Sequence, residues 1–124
     1  MIKIKQKDNK ITMTRGDTLI TNVMIFLEDP ETKEKTAYTP VEGDSLRFVL
    51  KHPQIRSDNM GYTDAEPLIE KQISIATLEL RLDPADTKPL AFGDYVYDIE
   101  LTYSDNVVDT FINNAPFELV PEVD

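Results

Sequence analysis

Two carboxylates, Asp98 and Glu100, have the residue types and the spacing that acid–base chemistry would need. Residues two apart on a β-strand lie on one face, about 7 Å from each other, and this separation overlaps that of the carboxylate pairs in glycosidases. A half-buried strand produces the same alternation, with Tyr97 and Ile99 facing inward and the carboxylates facing solvent. The solvated face is the simpler interpretation, and we predict no catalytic residue.

The tripeptide Arg15-Gly16-Asp17 matches the integrin-binding sequence, whose recognition needs the Arg and Asp at an exposed loop tip. Here the tripeptide leads into a predicted strand. Two other Gly-Asp pairs, at residues 43–44 and 93–94, also come directly before alternating runs. Glycine accepts the backbone angles of a tight turn and aspartate can bind a nearby backbone N–H, so we predict a turn at each pair.

Metal binding has little support in the sequence. His52 is the only histidine and cysteine is absent, which excludes histidine-based and thiolate metal sites. The proline that follows His52 indicates that this residue ends a strand. The cluster of Asp58, Asn59 and Asp64 around Gly61 suggests calcium, but Arg56 and Met60 occupy two of the positions where an EF-hand loop places ligands. We expect no metal and no cofactor.

The tyrosines offer a possible sugar-binding platform. Tyr95, Tyr97 and Tyr103 share one face of a predicted strand with its aliphatic residues, so we predict core tyrosines whose hydroxyls are bonded at the rim. Tyr38 and Tyr62 fall in predicted loops and are the better candidates for stacking on a glycan ring.

The elements that position these residues are predicted to be β-strands throughout, because apolar residues recur at a spacing of two. The alternating runs cover residues 2–5, 11–13, 19–27, 46–50, 68–73, 78–82, 95–103, 107–112 and 117–120. Residues 104–106 favour a hairpin between two of these runs, and residues 52–66 read as a long loop. Asp83 and Pro84 predict one short helical turn near residues 84–88. One domain, residues 1–124, is expected to be a β-sandwich or barrel of about seven to nine strands.

Thirteen basic and 23 acidic residues give a net charge of −10, which would repel a nucleic-acid backbone. The longest uninterrupted apolar run covers only residues 23–27, so we expect neither a signal peptide nor a membrane span. Nucleic acid and membrane are therefore not expected as partners.

The charge is unevenly distributed, with five basic residues and one acidic residue in positions 1–15 and no Lys or Arg after Lys88. One interpretation places the basic first strand beside the acidic last hairpin in a single molecule. The other joins the basic end of one subunit to the acidic end of a neighbour, in head-to-tail contacts that can close rings. We rank the intramolecular version first, because exposed ion pairs drive assembly weakly. In either case the candidate interaction surface comprises Lys3, Lys5, Asp98, Glu100 and Asp109.

Several segments resemble small proteins that are encoded among the phage and prophage structural genes of Gram-positive bacteria. The segments are Arg15-Gly16-Asp17-Thr18, the run from Pro40 to Phe48, the run from Leu82 to Leu90, and the run from Phe92 to Ile99. A weaker likeness is to the N-terminal domain of the upper baseplate proteins of phage tails. Gly93-Asp94-Tyr95 is also similar to the strand entry of immunoglobulin-like domains, and this likeness implies an immunoglobulin-like antiparallel β-sandwich.

The resemblance implies a non-enzymatic interaction module, found in the virion or in the host cytoplasm, with other virion proteins or itself as partner and no small-molecule substrate. A small carbohydrate-binding module that reads a host cell-wall glycan is the alternative. A hydrolase using Asp98 and Glu100 is the third hypothesis.

Overall fold

The computed structural model describes residues 2–4, 9–53, 56–57, 61–62 and 66–122, with only the backbone described at 2–4, 56–57 and 61–62. These residues form an all-β protein with one short helix, which confirms the predicted class. The strands are β1 (Ile2–Ile4), β2 (Ile11–Thr14), β3 (Leu19–Asn22), β4 (Ile25–Glu28), β5 (Lys35–Ala37), β6 (Ser45–Lys51), β7 (Arg56–Ser57), β8 (Gly61–Tyr62), β9 (Ile69–Ile73), β10 (Glu79–Leu82), β11 (Gly93–Thr102) and β12 (Val108–Val120), and the helix is α1 (Pro84–Thr87).

One layer of the sandwich is a five-stranded sheet with the order β2-β12-β11-β6-β9. All its ladders are antiparallel except that between β2 and β12, which is parallel and differs from the antiparallel pattern expected. The predicted hairpin joins β11 to β12, where the Tyr103 N–H donates to the Val107 carbonyl and Asn106 adopts a positive φ of 71°. The two runs predicted at residues 107–112 and 117–120 are one continuous strand, because β12 pairs with β11 on both sides of a bulge.

The other layer consists of the pair β10-β3 and the three-stranded sheet β1-β4-β5. The single run predicted at residues 19–27 is thus two strands with different partners. Val23 still donates its N–H to the Leu78 carbonyl beside β10, whereas Ile25 already pairs with Ile4 of β1. Both Val23 and Ile25 are buried, so the alternation continues although the strand changes sheets. The predicted 52–66 loop contains one short ladder, between β7 and β8.

The core lies between the two layers and is filled by side chains from both of them. Phe48 and Phe117 flank the ring of Tyr97, with ring centroids 5.5 and 6.5 Å from it. The Tyr95 hydroxyl donates to the Ala91 carbonyl at 2.6 Å, and the Tyr97 hydroxyl donates to the Asn9 carbonyl. These bonds confirm the prediction of buried tyrosines with satisfied hydroxyls for Tyr95 and Tyr97, whereas the predicted core residue Tyr103 is only partly buried and packs against the core.

The helix α1 carries the chain from β10 in one layer to β11 in the other, as the strand–helix–strand pattern predicts. Pro84 takes the first helical position, and the Asp83 N–H donates to the Asp86 carboxylate at 2.7 Å. Thr87 is fully buried, and its hydroxyl accepts the N–H of Gly16 at 2.8 Å. This bond fixes the turn after β2 against the helix. Within the described residues, no helix is long and apolar enough to cross a membrane.

Replacing Thr87 with valine should test the bond between helix and turn. Thr87→Val keeps the side-chain shape but removes the acceptor of the Gly16 N–H, so we expect the free energy of unfolding to fall by about 1–3 kcal/mol. Urea unfolding measures this change. Thr36→Val, on the exposed strand β5, is the matched control and should change stability by less than about 0.5 kcal/mol. Equal losses in the two variants would contradict a structural role for the Thr87 hydroxyl.

Candidate interaction surface

The carboxylates of Asp98 and Glu100 lie on the outer face of the five-stranded sheet, as predicted, and each one contacts a cation from the neighbouring strand β6. The Lys51 Nζ is 2.9 Å from the Asp98 carboxylate, and the Arg47 guanidinium is 3.6 Å from that of Glu100. Arg47 also lies 2.8 Å from Glu70 on β9. The pairs therefore form a cross-strand ladder, which stabilises the sheet from its outer side.

Asp98 has a second structural role at the β12 bulge. Its carboxylate accepts the backbone N–H of Asn114 at 2.7 Å, and Asn114 has a positive φ of 53°. The side chains of Lys51 and Asp98 are only 12 % and 18 % exposed. Asp98 thus joins β6, β11 and β12, because it satisfies a donor that the irregular pairing releases.

The residues predicted to form the interaction surface do not converge on one face. Asp109 pairs in register with Leu101, whose side chain is in the core, so Asp109 lies on the opposite side of the sheet from Asp98. Lys3 belongs to β1 in the other layer, opposite Phe26 of β4. The Lys3 side chain and the whole of Lys5 fall outside the described residues.

The basic N-terminal segment nevertheless lies beside the acidic C-terminal strand in one molecule. The parallel ladder between β2 and β12 places Lys10 3.6 Å from Glu118 and Arg15 3.4 Å from Glu122. These two pairs are intramolecular, but they flank β2 and not the predicted first strand, because β1 pairs with β4 in the other layer. The ladder that makes this possible is the parallel one, which the sequence pattern did not indicate.

The Arg15-Gly16-Asp17 turn forms one end of the sandwich. Its Arg15 guanidinium donates to the Leu90 carbonyl at 3.4 Å and lies 4.2 Å from the centroid of the exposed Phe92 ring. Arg15 is therefore folded against its own chain, as the structural interpretation of the tripeptide predicts. The turn borders an open concavity of about 470 Å³, which is lined by Thr14, Arg15, Gly16, Asp17, Lys88 and Glu122.

The opposite end of the sandwich is formed by the loop at residues 38–44 and the hairpin at residues 103–107. Three exposed aliphatic side chains stand there, and we call this surface the valine end: Val41, Val107 and Val108, which are 58 %, 55 % and 56 % exposed. Sequence reasoning assigned Val107 to a strand and did not single out any of the three. The residue type alone does not predict that a valine side chain is exposed, because strands also bury valines.

Asp44 holds the loop of the valine end together. Its carboxylate accepts the Tyr38 hydroxyl at 2.6 Å and the Val41 N–H at 3.0 Å, although the side chain is buried. Three hydrogen bonds lower the pKa of Asp44, against the opposing effect of burial. The bond from the Tyr38 hydroxyl has the largest effect, the Val41 N–H comes next, and the Ser104 N–H has the smallest. The same hydrogen bond, reinforced by burial, raises the pKa of Tyr38 to about 12.

The loop and the hairpin also touch directly. The Tyr38 ring meets the Tyr103 ring edge to face, with centroids 6.1 Å apart. A Cβ atom added to Gly43 would lie 2.7 Å from the Ser104 Cβ, which is closer than two non-bonded carbon atoms approach each other. Tyr38 is therefore partly buried, and its ring already contacts Tyr103, which weakens the hypothesis that it stacks on a glycan. The Tyr62 side chain falls outside the described residues.

The remaining residues that could bind a metal or act as a base are His52, Asp58, Asn59 and Asp64. His52 directly follows β6, as predicted, and its ring stacks on Tyr95 with centroids 5.2 Å apart. The possible calcium ligands Asp58, Asn59 and Asp64 lie outside the described residues. Within the part of the chain that the structure describes, no group of three or more His, Asp or Glu residues could hold a metal ion.

The close approach at Gly43 can be tested with glycine replacements. Gly43→Ala should lower the free energy of unfolding by about 1–3 kcal/mol more than Gly93→Ala, because both glycines have positive φ but only Gly43 faces an occupied position. Adding Ser104→Gly to Gly43→Ala should restore part of this difference, whereas Ser104→Gly alone is the control. A double-mutant cycle with no coupling would show that loop and hairpin are independent.

The Tyr38–Asp44 bond predicts an unusual titration. Because the pKa of Tyr38 is raised from 10.0 to about 12, its contribution to stability should be complete below pH 10 and be lost as pH rises toward 12. The lowered pKa of Asp44 makes its own contribution complete above its usual value of 3.8 and lost on further acidification. Absorbance at 295 nm should show a late-ionising tyrosine that disappears in Tyr38→Phe and ionises earlier in Asp44→Asn. An unchanged titration in both variants would contradict the bond.

Comparisons with known proteins add no relative to this description. No protein-family model matches the chain, and no curated protein matches it. The function is therefore argued from the residues and contacts of the two ends and the outer face.

Proposed function

We propose that this protein is a non-enzymatic structural or accessory protein of a phage or prophage particle, in the tail or baseplate region, and that it acts there as a protein–protein interaction module. The observation that carries the proposal is the valine end, where three aliphatic side chains are more than half exposed. The loop and the hairpin that carry these valines touch through the rings of Tyr38 and Tyr103, so the valines share one end of the domain. Exposed apolar surface of this kind favours contact with another molecule.

The rigidity of the valine end supports this role. Asp44 bonds to Tyr38 and Val41 within the loop, and Gly43 packs against Ser104 of the hairpin. A surface that is already ordered loses little conformational entropy when it binds, so less of the interaction free energy is spent on ordering it. The valine end has the properties of a preformed docking surface.

The phage setting is supported by the resemblance of the chain to proteins from phage and prophage structural genes. The segments that carry the resemblance include the turn at residues 15–18 and the helix region at residues 82–90, which are joined by the bond from Gly16 to Thr87. The non-enzymatic part is supported by the contacts of Asp98 and Glu100, which serve cross-strand ion pairs.

Mass spectrometry of purified particles tests the proposed function. A bacterium that carries the gene is induced, particles are banded by density, and peptides of this protein are expected in the same fractions as the tail proteins. Particles from a strain lacking the gene provide the background. Absence of the peptides from fractions that contain the other tail proteins would refute the structural-component role. A glycan array with specific hits would instead favour the carbohydrate-binding alternative.

A further inference from the structure

Three carboxylates next to the exposed valines in the sequence form no ion pair within the described residues. Glu42 is exposed in the loop, and Asp105 on the hairpin accepts only the Val107 N–H, at 3.1 Å. Asp109 is the second residue of β12 and lies near Tyr103, whose pKa is raised chiefly by burial and then by this carboxylate. All three groups are thus left with their charge uncompensated by the described part of the chain.

Several carboxylates elsewhere in the molecule are paired with cations, although the exposed Asp17, Glu31 and Glu34 form no ion pair within the described residues. Asp98 and Glu100 contact Lys51 and Arg47, and the acidic C-terminal residues contact Lys10 and Arg15. The loop at residues 38–44 and the chain from residue 89 to residue 124 contain no Lys or Arg at all. Within the described residues Lys33, Lys35 and Lys88 also form no ion pair, but none of the three belongs to the loop or the hairpin, so the acidic groups beside the exposed valines have no cation in their own segments.

We infer that the valine end binds a different protein, one whose contact surface has an apolar centre with Lys or Arg side chains around it. Such a partner would cover the three valines and neutralise Glu42, Asp105 and Asp109 at the rim. The inference rests on the proposed function, since it names the chemistry of the partner for the same interaction module.

A second copy of this chain fits the valine end poorly. Two valine ends placed face to face would bring like charges together, which disfavours that contact. A head-to-tail contact would bring a second chain of net charge −10 against this acidic end, even though Lys33, Lys35 and Lys88 of that chain form no ion pair within its described residues. The charges thus favour a separate, basic partner.

Site-specific photocrosslinking in the bacterium that produces the protein tests the inference. A benzoylphenylalanine residue replaces Val107 in the full chain, and the control carries it at Thr36 on the exposed strand β5. After irradiation of intact cells, the crosslinked peptides are identified by mass spectrometry. We expect position 107, and not position 36, to yield one dominant partner whose crosslinked surface is rich in Lys and Arg.

Charge variants make the test specific. Replacing Glu42→Gln, Asp105→Asn and Asp109→Asn together should lower the crosslink yield at position 107 about tenfold. The matched control is Glu31→Gln, Glu34→Gln and Glu79→Gln, which removes the same charge from exposed positions elsewhere and should leave the yield unchanged. Circular dichroism of each purified variant confirms that it is folded.

Three results would overturn the inference: the same partners at positions 107 and 36, crosslinks mainly to a second copy of this chain, or a yield that the two charge variants lower equally. Each of these is separable from failure of the proposed function. A chain present in the particle but without the expected crosslinks refutes the basic partner alone, whereas the expected crosslinks with the chain absent from particles refute the phage role alone.

Discussion

Hydrogen bonding along both edges of β11 is the constraint on which the rest of the domain depends. The strand pairs with β12 on one side and β6 on the other, so its register fixes where both neighbours place their side chains. A slip of one residue would move Tyr97 to solvent and Asp98 into the core. Asp98 bonds to Lys51 and Asn114 only in the register that also buries Tyr97. The outer ion pairs and the inner packing therefore select the same arrangement.

The sequence predicts the fold to the extent that the signals are local. The alternation in β6, β10 and β11, the proline that opens α1 and the residues of the 104–106 turn each act within a few positions, and these elements are found as predicted. The change of partner between β3 and β4, the continuity of β12 and the parallel pairing of β2 are decided by distant strands. Apolar residues alternate with the same period of two before and after the point where the chain changes its partner strand. The alternation alone therefore predicts one strand over residues 19–27.

The contacts of the candidate interaction surface were harder to predict for the same reason. The sequence places Asp98 and Glu100 on one outer face, but it does not show that Lys51 and Arg47 from another strand lie beside them. Thr87 finds its partner Gly16 71 positions away. The predicted contact of the first strand with the last hairpin is replaced by ion pairs of Lys10 and Arg15, which flank β2, because the parallel ladder brings β2 beside β12.

The two ends of the sandwich differ in how their charges are arranged. At the Arg15 end, Arg15 is paired with Glu122 of the same chain. At the valine end, Glu42, Asp105 and Asp109 stand next to the exposed valines in the sequence without compensating cations among the described residues, so two such ends placed face to face would repel each other. The same charges attract a basic surface over several ångströms before the valines touch it. The proposed basic partner would therefore meet an acidic end whose loop Asp44 already holds in shape through Tyr38 and Val41.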